Sequence, residues 1–211
     1  MIYDMKPWQW VKHVIFHPTE GFEDMRWKKA GSLKISFFIV FLLFASQVFS
    51  SRYGGFAYNT RAYSDVFNIM PILVQSVAYY ATWVVSNWSI CTLFDGEGNM
   101  RRVAIYTAYS LVPYIIGNTL STALSYFLTL DESIWYNAIS MIGLGWSVVM
   151  MIFAMKACHQ YSFTMTFVSM ISTVAGMVLI LCLLALVMSL FQQVYVFFAT
   201  IYTEILYRFR S

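Results

Sequence analysis

His13 and His17 stand four residues apart, which on a helix sets both imidazoles on one face at the spacing of two metal ligands. Two nitrogen donors fall short of a zinc site, Pro18 follows His17 directly, and no cysteine or third histidine lies near. Asp95 and Glu97 alternate with Gly96 and Gly98, an arrangement of carboxylates that a hard cation would accept, yet the stretch lacks the length and terminal Glu of a calcium loop. Its glycines read as a tight turn. His159, with Lys156, closes an apolar run; there a lysine snorkels to the membrane interface and a solitary histidine is expected to contact headgroups. Cys91, Cys158 and Cys182 are odd in number and sit in or at the end of apolar runs, so they read as reduced packing residues. His-Glu-x-x-His, Cys-x-x-Cys, Gly-x-Ser-x-Gly and a Gly-rich phosphate loop do not occur. The expectation is a chain that is not an enzyme, with no catalytic residues, no cofactor, no metal and no nucleic-acid partner.

The frame that must position these few groups is strongly apolar. Over 211 residues the chain is 60% hydrophobic, 19% aromatic and 11% charged, where a soluble domain carries roughly 25% charged residues. Five apolar stretches, 33–49, 67–94, 103–130, 134–157 and 163–190, have every Lys, Arg, Asp and Glu between them or at their ends. Each approaches or exceeds the roughly 20 residues that cross a hydrocarbon core. The fold class expected is all-α: a polytopic membrane protein, built as a five-transmembrane-helix bundle with N-terminal interfacial helices and an extended C-terminal amphipathic helix. The corresponding divisions are an interfacial segment 1–32, a membrane domain 33–190 and a C-terminal helix 191–211. A cleaved signal peptide does not fit, because 32 residues rich in Trp and charge precede the first apolar block. At depth the polar groups are neutral: Gln47, Gln75, Asn87, Asn118 and Asn137. Proton relays and ion-coupled pumps need titrating groups there. Asn87-Trp88-Ser89 matches a glycosylation acceptor only formally, lying inside an expected span.

Orientation follows from Lys and Arg. With the N-terminus inside, Lys6, Lys12, Arg26, Lys28, Lys29, Lys34, Arg101, Arg102 and Lys156 fall on the cytoplasmic face, and Arg52, Arg61, Arg208 and Arg210 outside. The expected localisation is the cell membrane, multi-pass, with a cytoplasmic N-terminus and an extracytoplasmic C-terminus. Pro7 suits a helix start, and Trp8, Val11, Val14 and Ile15 form a stripe with Lys12 and His13 off it, as in a helix lying in the interface. Pro18 ends that helix and starts a second, with Glu20, Glu23 and Asp24 near its positive end and Phe22, Met25 and Trp27 free for lipid or protein. Arg26, Lys28 and Lys29 close it, either as topology-setting charge or as a contact for anionic headgroups.

Three pieces of sequence carry a resemblance. His17-Pro18-Thr19-Glu20-Gly21-Phe22-Glu23-Asp24, the stretch from Trp83 to Asn87 leading into Leu93-Phe94-Asp95-Gly96-Glu97-Gly98, and Ala108-Tyr109-Ser110-Leu111-Val112-Pro113 together resemble the bacterial branch of the Yip1 family. The resemblance covers about residues 10–190. It implies a five-span membrane protein with a cytoplasmic N-terminus. Eukaryotic relatives bind small GTPases and one another in membrane traffic, but the Asp-Leu-Tyr-Gly-Pro stretch of that branch is missing here, so GTPase binding does not carry over.

Helices in lipid associate through close packing and hydrogen bonds, so small residues four apart mark seams. Gly117, Ser121 and Ser125 form one such face, Gly143 and Ser147 a second, and Ser172 with Gly176 a third. Pro71 reads as a first-turn proline, and Pro113 as a kink whose freed carbonyls Ser110 or Tyr109 would rescue. Tyr53, Phe56, Tyr58 and Tyr63, set among Gly54, Gly55 and Asn59, read as an interfacial aromatic belt or as a contact for an external partner or sugar.

Past residue 190 the helical pattern continues, with Val187, Phe191, Val194, Phe198, Ile201 and Ile205 alternating spacings of four and three. That seam is the expected partner-binding surface. The function expected is a non-enzymatic integral membrane scaffold or accessory subunit of a membrane complex. Its partners would be membrane lipids and other membrane proteins, a second copy or an ABC-type transporter among them. The alternative is a transport component, either a small permease-like subunit or a membrane partner of an ATP-driven transporter. That alternative requires a continuous polar cavity beside Pro113, Asn118 and Gln75.

Overall fold

The computed structural model describes residues 6–55, 58 and 68–210, and among these it is helical. Phe56, Asn59, Arg61 and Tyr63 of the outer loop lie outside the described residues. Two short helices come first, α1 (Pro7–Phe16) and α2 (Pro18–Trp27). Each begins on a proline, whose fixed φ suits a first turn that needs no donor. Pro18 therefore divides them where expected.

These two helices do not simply lie on a lipid surface. Trp10, Val11 and Val14 of α1 and Phe22 and Met25 of α2 are buried in the same core as Val103, Tyr106 and Tyr109. Only part of the expected stripe works that way: Val11 and Val14 are buried while Trp8 is exposed and meets the Phe38 ring edge-on at 5.5 Å. Trp146 Nε1 donates to Ile15 O at 3.1 Å, which fixes the end of α1 part-way along the helix Ser133–His159. The reason is burial: a groove beside the helices Met100–Ser110 and Ser133–His159 takes these apolar side chains out of water.

Three helices are long and apolar enough to cross a membrane, over Leu33–Tyr53, Leu130–His159 and Phe163–Phe209. They contain α3 (Leu33–Tyr53), α8 (Ser133–His159) and α9 (Phe163–Arg210). The other two apolar stretches are interrupted. The first runs from α4 (Met70–Leu73) through a π turn at Val74–Ala78 into α5 (Tyr79–Leu93). Pro71 occupies its first turn, as expected. The second is split at Leu111 into α6 (Met100–Ser110) and α7 (Val112–Leu124). Pro113 accounts for the split, since it lacks an N–H and crowds the carbonyl four residues before it. Ser110 Oγ turns back onto Tyr106 O and Thr107 O, both at 2.9 Å, and Tyr114 N donates to Ser147 Oγ of α8 at 2.8 Å. Helix α9 continues without interruption across residue 190.

Two of the three expected seams are where the small residues place them. A Cβ added to Gly117 would stand 2.9 Å from Gly143 Cα, so α7 and α8 meet backbone to backbone. Ser125 Oγ accepts from Gly55 N at 2.7 Å, tying α7 to the end of α3. On α9 the seam is shifted: Thr166, Ser169 and Thr173 are fully buried, Gly176 lies against Ser86 and Ile90, and Ser172 is only half-buried.

Candidate functional site at the basic end of the bundle

The loop after α5, the turn between α8 and α9, and the connection from α2 to α3 gather at one end of the molecule. A buried polar chain organises that end. His159, which closes α8, is buried, and its Nε2 donates to Asn87 Oδ1 at 3.0 Å. Asn87 Oδ1 only accepts, which assigns the proton to Nε2. Asn87 Nδ2 donates to Thr173 Oγ1 at 3.0 Å, Thr173 Oγ1 donates to Ser169 O at 2.7 Å, and Ser86 Oγ donates to Thr173 O at 2.7 Å. Helices α5, α8 and α9 are thus joined by side-chain hydrogen bonds in an apolar interior.

The expectation of a headgroup contact for His159 is corrected by this burial. Its Nδ1 has no hydrogen-bond partner among the described residues and faces the Gly96 and Gly98 turn, where an added Cβ would lie 2.7 Å from it at either glycine. The glycines therefore give room to the imidazole as well as making a turn, and Asp95 before them has a left-handed φ of 56°. Tyr161 stacks on the ring at 5.5 Å and 17°, and its hydroxyl donates to Cys91 O at 2.9 Å. Burial of that hydroxyl, with Cys91 beside it, holds the Tyr161 phenol above its ordinary range, so it stays a donor. Cys91 and Cys158 are buried near this cluster, as expected of packing cysteines, whereas Cys182 is exposed on α9.

Charge lies outside the buried chain. Arg26 at the end of α2 pairs with Glu97 in the glycine turn. Lys156 Nζ sits 4.6 Å from the centre of the Phe163 ring, and Lys28 Nζ 5.3 Å from that of Trp10. His13 Nε2 is 3.4 Å from Asp24 Oδ2, and the His13 and His17 rings are 5.7 Å apart. Among the described residues no three His, Cys, Asp or Glu side chains gather at a spacing that would hold a metal ion.

In the sequence Asn87 is a neutral group at depth, with nothing to join it to His159, 72 residues away. The signal available was chemical: an amide and an imidazole in apolar runs each need a partner. Asn118 Nδ2 donates to Ser46 O at 3.1 Å, Pro113 is buried, and Gln75 lines a cavity of about 240 Å³ with Gln47 and Ser76 that neither of the other two reaches. A cavity of about 400 Å³ lies beside the α6–α7 break and is walled mainly by apolar side chains, among them Trp83, Leu111, Met151 and Val174.

The six seam residues on α9, Val187, Phe191, Val194, Phe198, Ile201 and Ile205, are all exposed. So is every residue of α9 from 182 to 209. At the opposite end of the bundle, Tyr58 stacks on Tyr136 at 4.7 Å and its hydroxyl donates to Thr129 O, which makes it a packing residue.

Long apolar helices, exposed apolar flanks and a polar interior made of neutral hydrogen bonds define an integral membrane protein. The Yip1 domain family model matches residues 12–187, and the chain belongs to that family. No curated protein and no solved structure matches it.

Proposed function

We propose that the chain is a five-span, non-enzymatic scaffold or accessory subunit of a membrane protein complex, with its partner docking on the distal half of α9. One observation carries this reading: α9 runs 48 residues, about 72 Å at 1.5 Å per residue, and its last 28 described side chains before Arg210 are exposed and mostly apolar. That length exceeds a bilayer core of about 30 Å even allowing for tilt. Apolar side chains beyond the core need a cover, and the seam from Val187 to Ile205 presents a continuous face for a helix of another membrane protein or a second copy.

Two features support five spans. Met70–Leu93 and Met100–Leu124, interruptions included, would each rise about 36 Å, enough to cross the core, and π turns and proline breaks are tolerated in a membrane where neighbours satisfy the backbone. The charge bias then favours a cytoplasmic basic end and an extracytoplasmic C-terminus. The apolar lining of the cavity beside the α6–α7 break favours a scaffold over a transport component, which would need a wet path.

The test is the assembly state of the full chain extracted in a mild detergent. A stoichiometric second protein or a second copy is expected in the complex, and Phe198→Asp with Ile201→Asp should release it. A wild-type chain that stays monomeric and alone in mild detergent overturns the reading. Labelling of a C-terminal cysteine from the cytoplasmic side would overturn the orientation.

A further inference from the structure

Beside the buried polar chain, and separate from it, lies a cavity of about 210 Å³ lined by Lys29, Gly31, Asn99, Arg101, Arg102 and Tyr106 among others. Two chain segments far apart in sequence supply its three cations: the turn after α2 gives Lys29, and the first turn of α6 gives Arg101 and Arg102. Among the described residues none of the three makes an ion pair, whereas the neighbouring Arg26 has Glu97. Two arginines in a first turn oppose the positive end of the helix macrodipole, and α6 has no acidic residue there to compensate. Lys29 adds a third like charge to the same concavity, at a left-handed φ of 47°. Topology-setting charge requires only that lysines and arginines lie near a membrane end. It does not require three of them to converge unpaired on one cavity with a buried floor of Met25 and Tyr106.

We infer that this cavity binds a phosphate group, carried by an anionic lipid headgroup or free in solution. A concave surface of one sign focuses field onto an anion, and the two guanidiniums offer the forked donors that phosphate oxygens take. The volume is below the roughly 300–1,000 Å³ that encloses a drug-sized ligand, which suits a single phosphate group. Asn99 is partly committed, since its Oδ1 accepts from Arg102 N at 2.9 Å, and this holds the α6 turn in place.

The experiment uses the full chain in nonionic detergent, titrated with phosphatidylglycerol, with phosphatidylcholine of the same acyl chains and with inorganic phosphate, and read by native mass spectrometry and thermal shift. Phosphatidylglycerol should bind several-fold tighter than phosphatidylcholine. Lys29→Gln with Arg101→Gln should weaken it about tenfold or more, given the usual contribution of each surface cation. Lys12→Gln, on α1 and outside the cavity lining, should stay within about twofold of wild type. Inorganic phosphate that binds and displaces the lipid identifies the free ion as a source; lipid binding that phosphate does not displace identifies the headgroup. Equal binding of the two lipids without phosphate binding, or a double-glutamine variant that binds as wild type does, overturns the inference.

Discussion

His159 Nε2 lies 3.0 Å from Asn87 Oδ1 in a buried site where α8 ends against α5. Removing either partner leaves the other buried and unpaired, which costs about 1–3 kcal/mol in general, while interhelical hydrogen bonds in membrane proteins average about 0.6 kcal/mol with a maximum near 1.7. Asn87→Ala should therefore destabilise the protein by about 1–2 kcal/mol. Denaturation of the single and double variants with His159→Ala in detergent checks this. Strictly additive effects would show that the two residues do not act as a pair.

Gly98 should tolerate no side chain while His159 keeps its place. An added Cβ would lie 2.6 Å from His159 Cε1 and 2.9 Å from Cys158 Sγ, and the ring is held by its stacking on Tyr161 and its bond to Asn87. Gly98→Ala is expected to cost about 1–3 kcal/mol by overpacking. In a His159→Ala background the same change should cost clearly less, with the contact to Cys158 Sγ at 2.9 Å remaining, and thermal denaturation of the four chains reads the difference. A full cost in both backgrounds would place the clash elsewhere.

Local signals carried much of the architecture and little of its contacts. Pro18 separates α1 from α2 by fixing φ and removing a donor, a property of one residue that needs no neighbour to be read. The break before Pro113 was legible for the same reason. What α1 and α2 pack against was not, because an amphipathic stripe is equally suited to lipid and to a protein groove; only the position of Val103, Tyr106 and Tyr109 decides it. The α9 seam shows the limit at the scale of one turn. Ser172 and Gly176 obey the four-residue rule, but α5 presents Ser86 and Asn87, and these select the face bearing Ser169 and Thr173. A helix offers several small-residue faces, and its neighbour chooses among them.

The contact between Gly117 and Gly143 gives a paired prediction on α8. Gly143→Leu would push a side chain into the α7 backbone, where even a Cβ meets Gly117 Cα at 2.9 Å and Pro113 O at 2.9 Å. Gly145, two residues on, has nothing within 4 Å of an added Cβ. Gly143→Leu should lower stability by about 1–3 kcal/mol or prevent folding, and Gly145→Leu should change it by less than about 0.5 kcal/mol. Equal losses at both positions, measured by detergent denaturation, would mean that general helix perturbation outweighs the close crossing.

The distal half of α9 separates folding from assembly. Residues that pack a bundle lose stability when they are changed, and residues that only meet a partner lose association instead. On α9 the line falls early: Thr166, Ser169 and Thr173 are fully buried, whereas Val187, Phe191, Val194, Phe198, Ile201 and Ile205 are exposed. Thr173→Leu should therefore disrupt the bundle, because it removes the acceptor for Asn87 and crowds Ser86. Phe191→Ala with Phe198→Ala should leave the denaturation of the isolated chain within about 0.5 kcal/mol of wild type, since no cavity is opened. If the seam meets a partner, the same double variant weakens the complex several-fold or more, the loss expected when two aromatic anchors are truncated at an interface. Size-exclusion chromatography with denaturation on the same samples makes the comparison. A double variant that unfolds more easily while assembling normally would reverse the assignment and make the distal helix part of the fold.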